Sequence, residues 1–489
     1  MKLNDLLNGL NVIKISGNVR NDELSGIEYD SRKVVRDSLF VAIKGFKVDG
    51  HDFIIDALNS GAVAVVVEND DSVSDESFIH NNAAKILVGD SRKSLAEISH
   101  IYYNQPSSKL NLVGITGTNG KTTTSYILKN VFETAGFKTG MLGTISNYIG
   151  ERFIDSNLTT PESNDLNKLL FDMVNKNCDN AVMEVSSHAL SLKRVHGLSY
   201  NSAVFTNITA EHLDFHKTFG NYLNTKKILF DSLNKDAFAI YNVDDHNSNK
   251  IVADCIATKY SFGTLSNADF FINEIDYNFN GTSFNLQHKK NEYKIETTLV
   301  GEFNAYNACA AFAIGKLNGI DEEIIINGIK TTPQIPGRFE VITNGQKNVV
   351  IDYSHTPDSL EKALFTLRKL NSTGREVITV FGCGGNRDSS KRPKMGEIAT
   401  TLSDKVIITS DNPRDENPNK IIDSIISGIT KDNYTVIEER ADAIEEAIKQ
   451  SNDDAIVLIA GKGHEDYQEI KGKRSHFSDK EKAEKYLGV

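Results

Sequence analysis

The chain has 489 residues, 39% hydrophobic and 25% charged, with 54 basic against 66 acidic side chains and a formal charge of −12. That length and balance suggest about three ordinary globular domains, and the acidic excess argues against nucleic acid as the main partner. Four scattered cysteines (Cys178, Cys255, Cys309, Cys383) form no CxxC pair and no metal spacing, and no apolar run is long enough to span a membrane, so reduced thiols and a cytoplasmic location are expected.

Residues 1–108 read as a small α/β unit, with strands near 38–43, 62–67 and 85–88 and a helix from about 91 to 103. The helix runs into Asn104-Gln105-Pro106-Ser107-Ser108, whose composition suits a linker. Directly after it comes a short apolar strand, 112–115, and then Gly117-Thr118-Asn119-Gly120-Lys121-Thr122-Thr123, which opens a helical pattern that Gly136 stops. Strand, glycine loop and helix in that order make a phosphate cradle. Glycines let backbone N–H groups close around the anion, the helix N-terminus adds positive potential, Lys121 neutralises the outer phosphates, and Thr122 is placed to hold Mg²⁺. The position five before Gly120 is Ile115 and not glycine, so the loop is a shortened variant of the common pattern.

From about 109 to 333 strands and helices alternate, with strands at 181–185, 202–208 and 238–243, which predicts a mainly parallel sheet covered on both faces. The stretch 259–300 alternates irregularly and suggests an antiparallel appendage; 331–336 looks like a second boundary. Within 334–489, strands at 349–353, 377–381, 405–409 and 455–460 are separated by helical segments such as 359–370 and 441–450. Each strand is followed by a polar loop: Ser354-His355-Thr356-Pro357-Asp358, Gly382 to Asp388, Asp411-Asn412-Pro413-Arg414, and Gly461-Lys462-Gly463-His464-Glu465. In a doubly wound sheet these loops share one edge, where ligands bind.

Asn207, His212, Asp214 and His216 follow the strand at 202–208; Glu184 ends its neighbour, before Ser186-Ser187-His188. A carboxylate and imidazoles near a phosphate loop suit a magnesium site, with hard oxygen donors on the ion. No Ser/His/Asp or Cys/His arrangement emerges, and Cys383 is a reactive thiol only in principle. The chain reads as built for phosphate electrostatics and positioning.

Together, the Gly117–Thr123 loop, Thr159-Thr160-Pro161, Glu184-Val185-Ser186-Ser187-His188 and Phe205-Thr206-Asn207 with His212-Leu213-Asp214 and His216 strongly resemble the Mur ligases. Pro336-Gly337-Arg338-Phe339-Glu340, Asp352-Tyr353-Ser354-His355-Thr356-Pro357 and the C-terminal loops extend the resemblance over essentially the whole chain. It implies a cytoplasmic three-domain α/β ligase of peptidoglycan synthesis: a UDP-sugar-binding domain (1–108), a central P-loop ATPase-like domain (109–333) and a Rossmann-like, amino-acid-binding domain (334–489). The implied reaction adds meso-2,6-diaminopimelate to UDP-N-acetylmuramoyl-L-alanyl-D-glutamate through an acyl phosphate, using ATP and Mg²⁺, in a monomer with no nucleic-acid or membrane partner.

Carried over by resemblance, Tyr29, Ser31, Phe46, Lys47 and Val48 contact the uridine nucleotide, and Thr159, Thr160, Ser186 and Arg194 the muramoyl-peptide. Lys121, Glu184, His212 and Lys226 are the catalytic set. Lys226 matches a lysine that the family carbamylates, which would turn it into a carboxylate-like ligand beside Thr122, Glu184 and His212. Asn304, Arg338 and Asp352 resemble residues enclosing adenine, phosphate and ribose. Leu192 and Asn386 depart from the family pattern, where Gln and Asp are common.

Arg414 argues the choice of amino acid. Its planar donor fork fits a carboxylate, whereas it would repel the lone distal ammonium of lysine. Arg387 and Arg414 would take the distal carboxylate of diaminopimelate and Glu465 its ammonium, with Gly461 permitting close approach beside Asp411, Asn412 and Pro413. The rival readings are a lysine-adding or folate-glutamylating relative, a motor-like NTPase, and a silent nucleotide-binding module.

Overall fold

The computed structural model describes residues 1–20, 22–46 and 48–489. It contains three α/β units, each with its own sheet. In the first, strands Ile27–Glu28, Leu39–Val41, Ala64–Val67 and Ala84–Val88 run parallel, and Val12–Gly17 closes the edge antiparallel to Ala84–Val88. That edge strand escapes the sequence pattern because half of it is exposed and it carries no buried stripe.

The second sheet has eleven strands. At its centre Asn111–Thr116 lies between Asn180–Glu184 and Ser202–Phe205, parallel to both. Successive side chains of these strands enter opposite cores. Leu112, Met183 and Phe205 pack with helices Ser163–Asn175 and Phe219–Asp231; Val113, Ile115 and Val204 pack with Lys121–Thr134 and Glu302–Leu317. Burial on both faces explains their nearly continuous apolar composition. The irregular stretch is indeed antiparallel in Phe270–Asn278, Gly281–His288 and Asn291–Thr297. A second antiparallel extension, Thr139–Leu142, Ser146–Ile149 and Arg152–Asp155, was not legible; its strands are four residues each and the last is largely exposed.

In the third sheet Lys347–Asp352, Ile456–Ala460, Val377–Phe381, Lys405–Ile408 and Tyr434–Val436 are parallel neighbours in that order, with Glu340–Asn344 antiparallel at one edge. The four polar loops therefore leave the sheet from one side. Among the described residues no helix is long and apolar enough to cross a membrane.

Candidate active site

The strand Asn111–Thr116 delivers the chain to Gly117, whose φ of +153° and closeness to Thr206 leave no room for a side chain: a Cβ would sit 1.9 Å from Thr206 Oγ1. Gly120, at φ +89°, caps the helix Lys121–Thr134, and a Cβ there would meet Asn307 Oδ1 at 2.6 Å. Glycine is thus required twice by close approach and backbone conformation. Asn207 braces the loop: its carbonyl accepts from Thr118 N (2.8 Å) and its Oδ1 from Asn119 N (3.0 Å). The N–H groups of the helix's first turn, Lys121 to Thr123, have no carbonyl partner within the helix and are the natural donors to an anion.

Lys121 Nζ donates to the Gly117 and Thr118 carbonyls at 3.0 and 2.9 Å. Lys226 Nζ donates to the same Gly117 carbonyl at 2.8 Å and lies 4.7 Å from the Tyr222 ring centroid, 1% exposed. Burial, reinforced by the charge of Lys121, pushes the Lys226 amine well below the usual lysine range. Glu184 is buried at the end of its strand; Thr122 Oγ1 donates to it at 3.0 Å, and Thr144 donates through its N–H (2.8 Å) and hydroxyl (3.0 Å). Thr122 and Glu184 thus present hard oxygen atoms side by side at the phosphate loop.

His212 stands at φ +57° beside His188, ring centroids 4.8 Å apart, and 3.9 Å from Glu211. Burial keeps His188 down at about 4 and lowers His212 as well, so both are neutral near pH 7. Glu211 was not singled out from the sequence, yet it sits largely enclosed among His212, His355, Lys121 and Lys226; burial pushes its carboxyl up, and the positive charge these groups carry when protonated outweighs that and holds it below the usual range. Only the fold brings His355, from the third unit, within 3.7 Å of Glu211. Among the described residues no group of three or more His, Cys, Asp or Glu side chains forms a ready metal cage.

Two further contacts join the third unit to the loop. Arg338 Nη2 approaches Thr122 Oγ1 at 3.4 Å, with its guanidinium 4.5 Å over the Tyr353 ring. Asp358, at the start of helix Pro357–Leu370, accepts from Asn119 Nδ2 and Thr209 Oγ1, both at 3.2 Å. Arg338 Nε and His464 Nδ1 are buried without a hydrogen-bond partner, which is expected where a polar ligand is to bind. Asp352 accepts from Phe339 N at 2.7 Å, and Asn304 accepts from Asn307 at 3.0 Å, so both support the walls of the nucleotide cleft.

Thr159 and Thr160 lie beside Glu184: Thr160 Oγ1 donates to the Glu184 carbonyl at 2.8 Å, and the Thr144 and Thr159 hydroxyl oxygens lie in hydrogen-bond contact at 3.1 Å. Ser186 caps helix Ser187–Ser191, and Arg194 pairs with Glu162 at 2.8 Å while donating to Thr160 O at 3.2 Å. Tyr29 is tied to Asp165 of the central unit by a 2.5 Å hydrogen bond and does not line the cleft. Ser31 opens a short 3-10 helix; Phe46 and Val48 are exposed, with the Phe46 ring 5.6 Å from Phe215. Lys47 lies outside the described residues.

On the opposite wall Arg414 adopts φ +52°, unusual for a residue with a side chain and held by backbone pairing to Glu469 and Lys471. Its Nη1 donates to the Gly385 carbonyl at 2.8 Å and its Nε lies 3.8 Å from Glu469. Glu465 accepts from Asn412 Nδ2 at 2.8 Å and faces the buried Lys462 at 3.5 Å; burial and nearby Asp411 push its carboxyl up. Arg387 is exposed, and Pro413 sits behind the loop, its carbonyl packed on Gly385. One continuous cavity of about 2520 Å³ is lined by Lys121, Thr122, Glu184, His212, Arg338, Arg414 and Glu465 alike. The phosphate loop and the arginine loop therefore open onto the same space.

Cys383 is no nucleophile. It is buried against Met395, and burial pushes its thiol up to about 12; the other three cysteines are also buried and raised. Native protein should accordingly show no fast thiol with a chromogenic disulfide reagent, and four after denaturation. A fast native thiol whose blockade stops activity would contradict this placement.

Family models describe the same three parts: "Mur ligase family, catalytic domain" matches residues 23–103, "Mur ligase middle domain" 115–315, and "Mur ligase, glutamate ligase domain" 337–463. A relative from Clostridium botulinum, UDP-N-acetylmuramoyl-L-alanyl-D-glutamate--2,6-diaminopimelate ligase, is 43% identical over 100% of this chain and 99% of its own length. A solved structure of an enzyme of that name superposes with TM-score 0.71 at 30% identity, covering 100% of this chain and 99% of the other. A MurF ligase from Thermotoga maritima in complex with ADP shares the fold at TM-score 0.64 and 20% identity, over 94% and 97% of the chains. A shortened phosphate loop facing an arginine-bearing Rossmann-like edge across one cleft, with end-to-end likeness at this identity, has one reading: the chain belongs to the Mur ligase family.

Proposed function

We propose that this ATP-dependent ligase joins meso-2,6-diaminopimelate to UDP-N-acetylmuramoyl-L-alanyl-D-glutamate in peptidoglycan synthesis. The observation that carries this reading is the single cavity with Lys121 on one wall and Arg414 on the other. The names of the full-length relatives point the same way.

In this reading the terminal carboxylate of the nucleotide-peptide attacks the γ-phosphorus of ATP. A new O–P bond forms, the bond to the β-phosphate oxygen breaks, and ADP leaves. The neutral amine of diaminopimelate then attacks the acyl carbon, and the tetrahedral intermediate collapses to amide and inorganic phosphate, the amine's proton passing to a base or solvent. No protein nucleophile is needed. The chain's contribution is charge and position: the helix N-terminus and Lys121 at the phosphates, Arg338 on the far side, Arg194 and Thr160 at the peptide. Residues 1–108 hold the uridine end, 109–333 the nucleotide triphosphate, and 334–489 the amino acid.

The hard oxygens of Thr122 and Glu184, 3.0 Å apart, fit Mg²⁺, which keeps waters and phosphate oxygens among its ligands. When bound it neutralises developing phosphate charge. Lys226 as an ammonium offers no lone pair; as a carbamate it would, and the depressed pKa of its amine favours the neutral form that reacts with carbon dioxide. His212 is the remaining residue that would join Thr122, Glu184 and the carbamate in holding the ion.

Arg414 disfavours the lysine-adding alternative, because a guanidinium facing a lone ammonium is both unpaired and repelled. The test is an acceptor panel with product mass measured. Phosphate release should require both the nucleotide-dipeptide and an amine, and the product should carry diaminopimelate. Phosphate release at the same rate without either substrate would sink the ligase reading; equal use of lysine would sink the choice of amino acid.

A further inference from the structure

Beneath the acceptor loops lies an ion pair that the reaction itself does not use. Arg440 begins helix Arg440–Lys449 and is 1% exposed; Asp479 begins helix Asp479–Leu487 and is 0% exposed. Arg440 donates Nε to Asp479 Oδ1 at 2.7 Å and Nη2 to Oδ2 at 2.8 Å, a bidentate geometry. The same fork donates to the Ala460 carbonyl at 3.0 Å and reaches the Ser410 carbonyl at 3.5 Å.

Those two carbonyls belong to the residues immediately before Gly461 and Asp411, where two acceptor loops leave the sheet. The loops also touch each other, since a Cβ on Gly461, at φ +120°, would lie 2.7 Å from Asp411 Oδ2. The charges of Asp411 and Glu465 both act on the guanidinium. A buried ion pair is costly to desolvate and is often replaceable by apolar side chains without loss of stability, so stability alone does not account for one at this place.

We infer that Arg440 and Asp479 are positioning residues for the acceptor amino acid, fixing the Asp411–Arg414 and Gly461–Glu465 loops at one spacing and balancing their two carboxylates from below. Arg440 is the pin and Asp479 is its anchor, which couples the C-terminal helix to substrate selection. The inference rests on the diaminopimelate reading above.

The test measures Arg440→Lys and Asp479→Asn for KM of each substrate, kcat and melting temperature. The control is Leu487→Ala, which loosens the same helix without touching the pair. Arg440→Lys keeps the charge and loses the fork; Asp479→Asn keeps the shape and loses the charge. Each should raise the KM for diaminopimelate about tenfold to a hundredfold, the scale of a small misplacement at a reacting centre. kcat at saturating diaminopimelate and the KM values for ATP and the nucleotide-peptide should stay within about twofold, and Leu487→Ala should lower the melting temperature without that selective rise. A lower melting temperature with unchanged KM, or an equal rise for all three substrates, overturns the inference.

Should neither variant fold, hydrogen exchange on the unmodified enzyme decides. Diaminopimelate should slow exchange in the first turns of both helices, and no change there overturns the coupling. The unmodified enzyme's own requirement for diaminopimelate, measured alongside, separates failure of this inference from failure of the ligase reading.

Discussion

Arg414→Ala should cost the enzyme its acceptor affinity while sparing its nucleotide affinity. Truncating one partner of a desolvated, hydrogen-bonded charge pair costs about 2–5 kcal/mol, and each ~1.4 kcal/mol is tenfold. The KM for diaminopimelate should therefore rise by roughly 30-fold to several thousandfold. The KM for ATP should stay within about twofold, because Arg414 makes no contact with the phosphate loop and is held by Gly385 and Glu469 of its own unit. Steady-state kinetics with each substrate varied in turn checks this. A variant in which both KM values rise together would mean that Arg414 braces the domain arrangement and does not read a carboxylate.

Lys226→Met should separate stability from activity in one substitution. kcat should fall by about 10²–10³-fold or more, the cost of removing one charged or donor group from a preorganised transition-state site. Stability should hold or rise, since methionine fills the space without burying an amine at 1% exposure beside Lys121. The pH dependence has a definite sign. The folded protein holds this amine below the usual lysine range, so between that lowered value and the ordinary lysine value of 10.5 the unfolded chain binds more protons than the native one. The penalty is therefore full at low pH and shrinks as pH rises, and the melting-temperature gain of Lys226→Met should be larger at about pH 6 than at about pH 9. In bicarbonate-free buffer the effect is cleanest; adding bicarbonate should stabilise the unmodified protein alone if the native state binds carbon dioxide at this amine. Thermal melts across pH, with and without bicarbonate, and carbon-13 spectra after labelled bicarbonate check both points. A destabilised variant with normal kcat would assign Lys226 to the core.

Much of this was legible in one dimension. The glycine loop could be read because close approach and positive φ leave only glycine at Gly117 and Gly120. The buried parallel strands could be read because burial on both faces selects apolar runs, and polar loops after four of them marked the edge of the third sheet that lines the cavity. The arginine loop stood out as a charged turn after a strand, and the fold places Arg414 on the cavity wall. By contrast, the meander 139–155 is too short and exposed to leave a periodic trace, and the boundary of Ser202–Phe205 fell earlier than expected because Asn207 turns in to brace the phosphate loop.

The amino-acid sequence by itself determined the cradle, the buried parallel strands with the helices between them and the chemical type of each loop, since these depend on local backbone preference, periodicity and side-chain chemistry. Only the tertiary structure decided which loops meet. Glu211 beside His355, Asp358 against Asn119, Arg440 beneath two loops and the shared cavity all join residues far apart in the chain. Such pairings are fixed by how three separate cores pack together, and no local pattern records that.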